Sequence, residues 1–190
     1  MVKYVLASGS PRRRELLAGL GIDFEVRLLP GIDESYPNGL SGEEIARTIS
    51  QKKAAAYRPT LAQDELIITA DTIVYQDSEV LGKPHDEQEA STMLHKLSGR
   101  THEVITGVTL LTQEMEHTFD CVSQVRFANL SDEEIWHYIT HYHPLDKAGA
   151  YGIQEWIGYI GVEHIEGSYF NVMGLPIQRL YQTLKQYNLI

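Results

Sequence analysis

A short segment near the N-terminus combines hydroxyl and guanidinium groups in a pattern typical of a phosphate-binding site. It reads Ser8-Gly9-Ser10-Pro11-Arg12-Arg13 and joins a predicted strand to a predicted helix. The N-terminus of a helix offers free N–H groups and the positive end of its dipole to an anion. Arginine adds bidentate hydrogen bonds to phosphate oxygens. The segment is not a Walker A loop, because it contains no Gly-Lys-Ser/Thr, and a capped helix with exposed arginines explains it equally well.

A second candidate is a carboxylate inside a strongly apolar run, Ile67-Ile68-Thr69-Ala70-Asp71-Thr72-Ile73-Val74. Burial of a carboxylate is costly unless the group is paired or binds a metal. An aspartate at such a position can ligate Mg²⁺ or accept a proton from water. A structural role, in which Asp71 caps a neighbouring turn, is the alternative. The apolar setting favours the functional interpretation.

Three further charges lie in contexts that suit a phosphate or metal site. Lys83 is held in the tight loop Gly82-Lys83-Pro84, and Lys53 lies near the end of a predicted helix, where the dipole favours cations. Glu34 belongs to the polar loop 31–38. Taken singly, each of these residues is explained more simply as a solvated surface charge.

The segment Asp146-Lys147-Ala148-Gly149-Ala150-Tyr151-Gly152-Ile153-Gln154 is rich in small residues, which permit close approach of the backbone to a ligand. The amide of Gln154 can both donate and accept hydrogen bonds, as recognition of a base edge requires. A plain loop is the alternative.

Two other features do not point to chemistry. His137, His141 and His143 lie on or near one predicted helix, but they lack a His-Glu-x-x-His pattern and nearby aromatic residues indicate packing rather than zinc binding. The single cysteine, Cys121, lies in a predicted strand without a protease signature.

The spacing of apolar residues predicts the strands and helices that carry these residues. Two capping boxes, Ser41 with Glu44 and Ser131 with Glu134, mark helix starts. Strands are predicted at 3–7, 24–29, 65–75, 79–81, 102–112, 117–127 and 157–165, and helices at 12–20, 42–57, 86–97, 132–142 and 175–187. The alternation indicates an α/β protein with a mixed, partly antiparallel sheet and flanking helices. Two lobes around a cleft suit these lengths.

Composition restricts the partners. The chain has 190 residues and a formal net charge of −10, from 16 Lys+Arg against 26 Asp+Glu. This balance disfavours a nucleic-acid polymer or an anionic membrane surface as partner. One cysteine excludes an intramolecular disulfide, and no stretch has the length of a membrane span. We therefore expect a single cytoplasmic domain.

In their order, these motifs resemble the Maf family of nucleoside triphosphate pyrophosphatases. The matching segments span nearly the whole chain: Leu6-Ala7-Ser8-Gly9-Ser10-Pro11-Arg12-Arg13, Ala70-Asp71-Thr72, Leu81-Gly82-Lys83-Pro84, Leu97-Ser98-Gly99-Arg100-Thr101-His102, Asp146 to Gln154 and Gly174-Leu175-Pro176. Each motif alone is weak evidence for the family, whereas the ordered set of motifs is highly specific for it.

The resemblance implies a fold like that of inosine triphosphate pyrophosphatases (Maf/Ham1), a homodimer and a divalent cation, Mg²⁺ or Mn²⁺. It implies cleavage of a nucleoside triphosphate between the α and β phosphates, which yields a monophosphate and pyrophosphate. The form of the segment that ends at Gln154 resembles the branch acting on dTTP and UTP, with modified pyrimidine triphosphates as further substrates in nucleotide-pool house-cleaning.

The resemblance also assigns roles to residues. Asp71 is the expected general base, and Glu34 with Asp71 is expected to hold the metal. Positions linked to substrate choice are Arg12 or Arg13, Thr72 and Gln154, and the expected phosphate contacts are Ser8, Arg13, Lys53 and Lys83. The sequence after Gln154 departs from the family, because Glu155-Trp156-Ile157-Gly158-Tyr159 stands where relatives often carry a glycine-rich stretch.

Two alternatives remain open at this stage. A pyrophosphatase that prefers a triphosphate with another base, such as 7-methyl-GTP, would use the same catalytic residues. A nucleotide-binding regulator of septum formation would use the anion site without useful catalysis. The net charge does not oppose either one, since the run Arg12 to Arg14 is a local basic cluster sufficient for a metal-bound triphosphate.

Overall fold

The computed structural model describes residues 2–190, which form seven strands, seven α-helices and three short 3₁₀ turns. In chain order the strands and helices are β1 Lys3–Leu6, α1 Pro11–Ala18, β2 Phe24–Val26, α2 Gly42–Tyr57, β3 Glu65–Gln76, β4 Glu79–Leu81, α3 Glu87–Leu97, β5 Thr101–Leu111, β6 Glu116–Phe127, α4 Asp132–Tyr142, α5 Trp156–Gly161, β7 Val162–Glu166, α6 Tyr169–Met173 and α7 Ile177–Gln186. The 3₁₀ turns are Arg58–Thr60, Pro144–Asp146 and Ala148–Ala150.

The strands form one mixed sheet in the order β2-β1-β3-β5-β6-β7, with β4 paired to β3. Strand β1 runs parallel to both β2 and β3, and its Leu6 is opposite Ile68 of β3. The pairs β3–β4 and β6–β7 are antiparallel. The predicted α/β class with a mixed, partly antiparallel sheet is therefore confirmed.

The chain divides into two compact units. Unit 1 comprises residues up to Thr72, Thr106–Cys121 and Gly174–Ile190, and unit 2 comprises Ile73–Ile105 and Val122–Met173. The long strands β3, β5 and β6 each contribute to both units.

Each unit buries apolar side chains contributed by its helices and strands. In unit 1 a buried cluster joins β1, α2, β3 and β5 through Val5, Ala54, Tyr57, Ile67 and Leu111. In unit 2, α3 packs against α4, and both helices bury an apolar face. Both predicted capping boxes are present, at the starts of α2 and α4. These caps satisfy N–H groups that a helix start otherwise leaves unpaired.

The prediction of one strand over 157–165 is wrong. The first part of that range belongs to α5, Trp156–Gly161, and only the second part is strand β7. A short apolar run does not distinguish helix from strand by periodicity. Here Ile157 and Gly161 are both buried, one helical turn apart, which places them on the same side of α5. The second strand is also shorter than predicted, since β2 ends at Val26.

A glycine in β5 allows α2 to lie close to the sheet. A Cβ atom on Gly107 would stand 2.2 Å from the carbonyl oxygen of Ala46. We expect Gly107→Ala to lower the free energy of unfolding in urea by about 2 kcal/mol, because backbone must move to admit the methyl group. Gly82→Ala is the matched control, since nothing lies within 4 Å of its Cβ position. Equal stability of the two variants would contradict the close packing of α2.

Candidate active site

The start of α1 holds an arginine that links three parts of unit 1. Ser10 is the N-cap, and its hydroxyl accepts the backbone N–H of Arg13. The Arg13 guanidinium donates from Nε to the Gly174 carbonyl at 2.8 Å and from Nη2 to Thr72 Oγ1 at 2.9 Å. Its Nη1 donates to Ser8 Oγ at 3.3 Å. Arg13 thus joins the loop after β1, strand β3 and the segment before α7.

The acceptors around this guanidinium are two hydroxyls and a carbonyl, so its charge remains available to an anion. Burial lowers the pKa of Arg13, while the nearby Asp71 carboxylate opposes that shift. Arginine nevertheless stays protonated in proteins. A cation that is partly buried and already oriented by three hydrogen bonds suits bidentate binding of phosphate oxygens.

A second cluster lies beside the first. Lys53 of α2 donates to Asp71 of β3 at 2.7 Å and lies 3.2 Å from Glu34. The side chains of Lys53 and Asp71 are 15% and 13% exposed, whereas that of Glu34 is 55% exposed. Asp71 and Thr72 are consecutive in β3, so this strand connects the Lys53 cluster to Arg13.

The loop that carries Glu34 is attached to α2 on both sides of that residue. Lys52 Nζ donates to Asp33 at 2.8 Å and to the Ser35 carbonyl at 2.6 Å. Adjacent lysines of α2 therefore bind adjacent residues of the loop, Lys52 holding the flanks and Lys53 pairing with Glu34 itself.

The donor set of this cluster fits a divalent cation that also binds substrate. Asp71 and Glu34 direct carboxylate oxygens toward one ammonium group, and carboxylate oxygen is the ligand that Mg²⁺ prefers. Within residues 2–190, no group of three or more His, Cys, Asp or Glu side chains is arranged to hold a metal ion. Mg²⁺ typically takes one or two carboxylates together with substrate phosphates and water. The two carboxylates suit this mode of binding.

The structure brings six of the predicted site residues together in unit 1: Ser8, Arg13, Glu34, Lys53, Asp71 and Thr72. Arg12 is partly buried in the first turn of α1, next to Arg13. The remaining two belong to unit 2. Lys83 is exposed just after β4, and Gln154 lies in the turn before α5. The contacts expected of Lys83 and Gln154 with a nucleotide stay predictions.

Gln154 has an unusual environment. Its Oε1 is buried and has no hydrogen-bond partner within the part of the chain that the structure describes. Most buried polar atoms are hydrogen-bonded, so an unpaired acceptor at a predicted ligand site fits recognition of an external donor.

Sequence reasoning missed a polar network around Gln154. The buried Lys147 pairs with Asp146 at 2.7 Å and with Glu155 at 3.2 Å. The hydroxyl of Tyr138, on α4, donates to the same Glu155. The sequence feature that indicates such a network is the tyrosine on the apolar face of α4, because a buried tyrosine hydroxyl needs a hydrogen-bond partner.

Two of the histidines of α4 make ring contacts on the surface. His137 and His141 stack with ring centroids 4.2 Å apart, and His137 also contacts Trp156 at 4.6 Å. His143 ends α4 and is exposed, and the expectation that these histidines do not bind zinc stays a prediction. Cys121 is half-buried, and burial raises its pKa.

Comparison with known proteins shows the family of this chain. The family model described as Maf-like protein matches residues 3–187, and the chain belongs to the Maf family. The chain is 64% identical over 184 residues to a protein of Phocaeicola vulgatus named dTTP/UTP pyrophosphatase, covering 97% of this chain and 95% of the relative. A protein of Bacteroides fragilis with the same name is 59% identical, with the same coverage.

The fold is also found in a solved structure. A HAM1 protein from Coxiella burnetii superposes with a TM-score of 0.52 at 16% identity, covering 98% of this chain and 100% of that one. The predicted Maf/Ham1 fold is therefore confirmed. Among the helices of residues 2–190, none combines the length and apolar character needed to cross a membrane.

Proposed function

We propose that this protein is a nucleoside triphosphate pyrophosphatase that hydrolyses dTTP and UTP to the monophosphate and pyrophosphate. The observation that carries the proposal is the adjacency of Asp71, paired with Lys53, and Thr72, bonded to Arg13. The Asp71 carboxylate also lies close enough to Arg13 to oppose the fall in its pKa, so a candidate base lies near two cations of the kind that phosphoryl transfer uses to stabilise charge. The names of the Phocaeicola and Bacteroides relatives support the pyrimidine substrates.

Binding uses the cations of unit 1. Arg13 is held by Ser8, Thr72 and Gly174 in a fixed orientation, so its guanidinium needs little reorganisation to bind phosphate oxygens. Lys53 supplies a second charge and exchanges part of its carboxylate contact for phosphate. Ser8 and Thr72 offer hydroxyls, while Lys83 and Arg12 complete the predicted set of phosphate and substrate contacts.

Chemistry begins with Asp71, which orients a water molecule and accepts its proton. The water oxygen forms a bond to the α-phosphorus, the bond from that phosphorus to the bridging oxygen breaks, and pyrophosphate leaves with the electron pair. A divalent cation held by Asp71 and Glu34 would lower the pKa of bound water and neutralise phosphate charge. The 2.7 Å ion pair with Lys53 holds the Asp71 carboxylate in place until substrate arrives.

Base choice is assigned to Gln154, whose unpaired Oε1 suits the N3–H donor of thymine or uracil. We extend the proposal to Mg²⁺ or Mn²⁺ as cofactor, a homodimer, a cytoplasmic location and a single Maf-like domain over residues 1–190. The partner is the nucleotide alone, with no role for a nucleic-acid polymer or a membrane.

A panel of triphosphates tests the proposal under one assay of pyrophosphate release, with Mg²⁺ and with a chelator. We expect dTTP and UTP to be the best substrates, with at least about tenfold higher kcat/KM than purine triphosphates, because the base is read by hydrogen bonds. Preference for 7-methyl-GTP or another purine would contradict the base assignment. Nucleotide binding without pyrophosphate release would favour a septum-related regulator instead.

A further inference from the structure

The hydroxyl of Tyr138 connects the two residues that bracket Gln154 on the chain. Tyr138 is completely buried on α4. Its oxygen accepts the backbone N–H of Gly152 at 3.0 Å, and its hydrogen is donated to the Glu155 carboxylate. One side chain thus holds both ends of the turn that presents Gln154.

The same turn is closed by further contacts. The Glu155 N–H donates to the Gly152 carbonyl at 3.0 Å, and Gly158 N–H donates to the Glu155 carbonyl at 2.8 Å. Lys147 neutralises Glu155 from within the fold. By contrast, the Oε1 atom of Gln154 has no partner within residues 2–190. The backbone on both sides of Gln154 is therefore held by hydrogen bonds, while its side-chain amide oxygen is available to accept a hydrogen bond from a ligand.

We propose that Tyr138 is a positioning residue that sets base selectivity through Gln154. The inference rests on the proposed function, in which Gln154 reads the base. Thymine and uracil present an N3–H donor, whereas the N3 of cytosine is an acceptor. An amide discriminates between them only if its oxygen, and not its nitrogen, is held toward that position.

The chemistry of Tyr138 suits positioning rather than proton transfer. Burial and the Glu155 carboxylate both raise the pKa of Tyr138, so the hydroxyl stays protonated. A phenol has one hydrogen to donate, and Glu155 receives it. Tyr138→Phe removes both bonds to the turn but keeps the ring that packs in unit 2.

The first test compares base selectivity in kinetics. In Tyr138→Phe we expect the ratio of kcat/KM for dTTP over dCTP to fall about tenfold, through a higher KM for dTTP, with kcat changed by less than about threefold. Tyr57→Phe is the matched control. Tyr57 is also buried and donates one hydrogen bond, to the Arg27 carbonyl in unit 1, so its loss should lower stability and leave the ratio unchanged.

A double-mutant cycle separates positioning from general damage. In a Gln154→Ala background, Tyr138→Phe should lower the ratio no further, because residues that act through one contact are not additive. An unchanged ratio in Tyr138→Phe, or the same fall with and without Gln154, would overturn the inference.

A measurement without turnover keeps the inference testable if the proposed substrates are wrong. The side-chain amide resonances of Gln154, assigned by their loss in Gln154→Ala, should shift in Tyr138→Phe and stay in place in Tyr57→Phe. Resonances that do not move in Tyr138→Phe would overturn positioning. A wild-type protein with no preference for dTTP would instead overturn the proposed function, whatever the resonances show.

Discussion

Asp71→Asn should lower the rate of pyrophosphate release from dTTP by about 10²–10⁴-fold, the range that a general base contributes. Asparagine has nearly the same shape as aspartate but cannot take the proton of the attacking water. Because Lys53 retains its contact with Glu34, we expect the fold to survive. Single-turnover kinetics with dTTP measure the loss directly.

Binding of dTTP should change far less than turnover. The substitution removes a negative charge close to the bound phosphates, which by itself favours an anion, and it removes one carboxylate from the expected metal pair. These two effects oppose each other. A loss of kcat with a small change in the Kd for dTTP identifies a group that acts in the transition state rather than in ground-state binding.

Asp64→Asn is the control for Asp71→Asn. Asp64 immediately precedes β3 and pairs with Lys3 at 2.9 Å, but its side chain is 46% exposed and lies outside both clusters of the site. It should retain wild-type kinetics. If Asp71→Asn releases pyrophosphate at a rate close to that of Asp64→Asn, Asp71 is not the base.

The sequence predicted the parts of this site whose signals are local. Ser10 and Pro11 mark the start of α1 by capping chemistry, and the structure has them at those positions. Asp71 was identified because an ionised group in an apolar run is costly unless it is paired. Lys53, now seen to be that partner, lies 18 residues earlier in the chain.

The parts that could not be predicted depend on long-range contacts. Nothing local indicates that Arg13 bonds to Gly174, which is 161 residues away. Nor does the sequence show that the hydroxyl of Tyr138 meets Glu155, since a tyrosine on an apolar face predicts that its buried hydroxyl has a partner but does not identify that partner. The strand predicted over 157–165 failed for a related reason: whether an apolar run becomes helix α5 or a strand is decided by what it packs against.

Arg13→Lys should lower kcat/KM for dTTP by about 10²-fold. Lysine keeps the positive charge but lacks the planar fork, so it cannot replace three directed bonds at once. At least one of Ser8, Thr72 and Gly174 then loses its donor, and the remaining ammonium binds phosphate as a point charge. Steady-state kinetics should show the effect mainly as a higher KM, because Arg13 contacts substrate before and during the reaction.

Arg14→Lys provides the comparison within the same helix. Arg14 is exposed on α1, and the clusters of the site are formed without it. The substitution conserves charge as Arg13→Lys does, so any general effect of losing a guanidinium from α1 will appear in both variants. Equal kcat/KM in Arg13→Lys and Arg14→Lys would remove Arg13 from the phosphate site.

Stability measurements separate the two contributions of Arg13. Loss of its bonds should lower the free energy of unfolding by about 1–3 kcal/mol, the usual cost of leaving buried polar groups unpaired. If Arg13 were purely structural, Arg13→Lys would show only this fall in the free energy of unfolding. A phosphate-binding arginine should also reduce the extra stability that pyrophosphate gives the folded protein, because that gain depends on the Kd of the ligand. Urea unfolding of Arg13→Lys with and without pyrophosphate therefore decides whether the guanidinium only holds β1, β3 and the segment before α7 together or also binds the substrate.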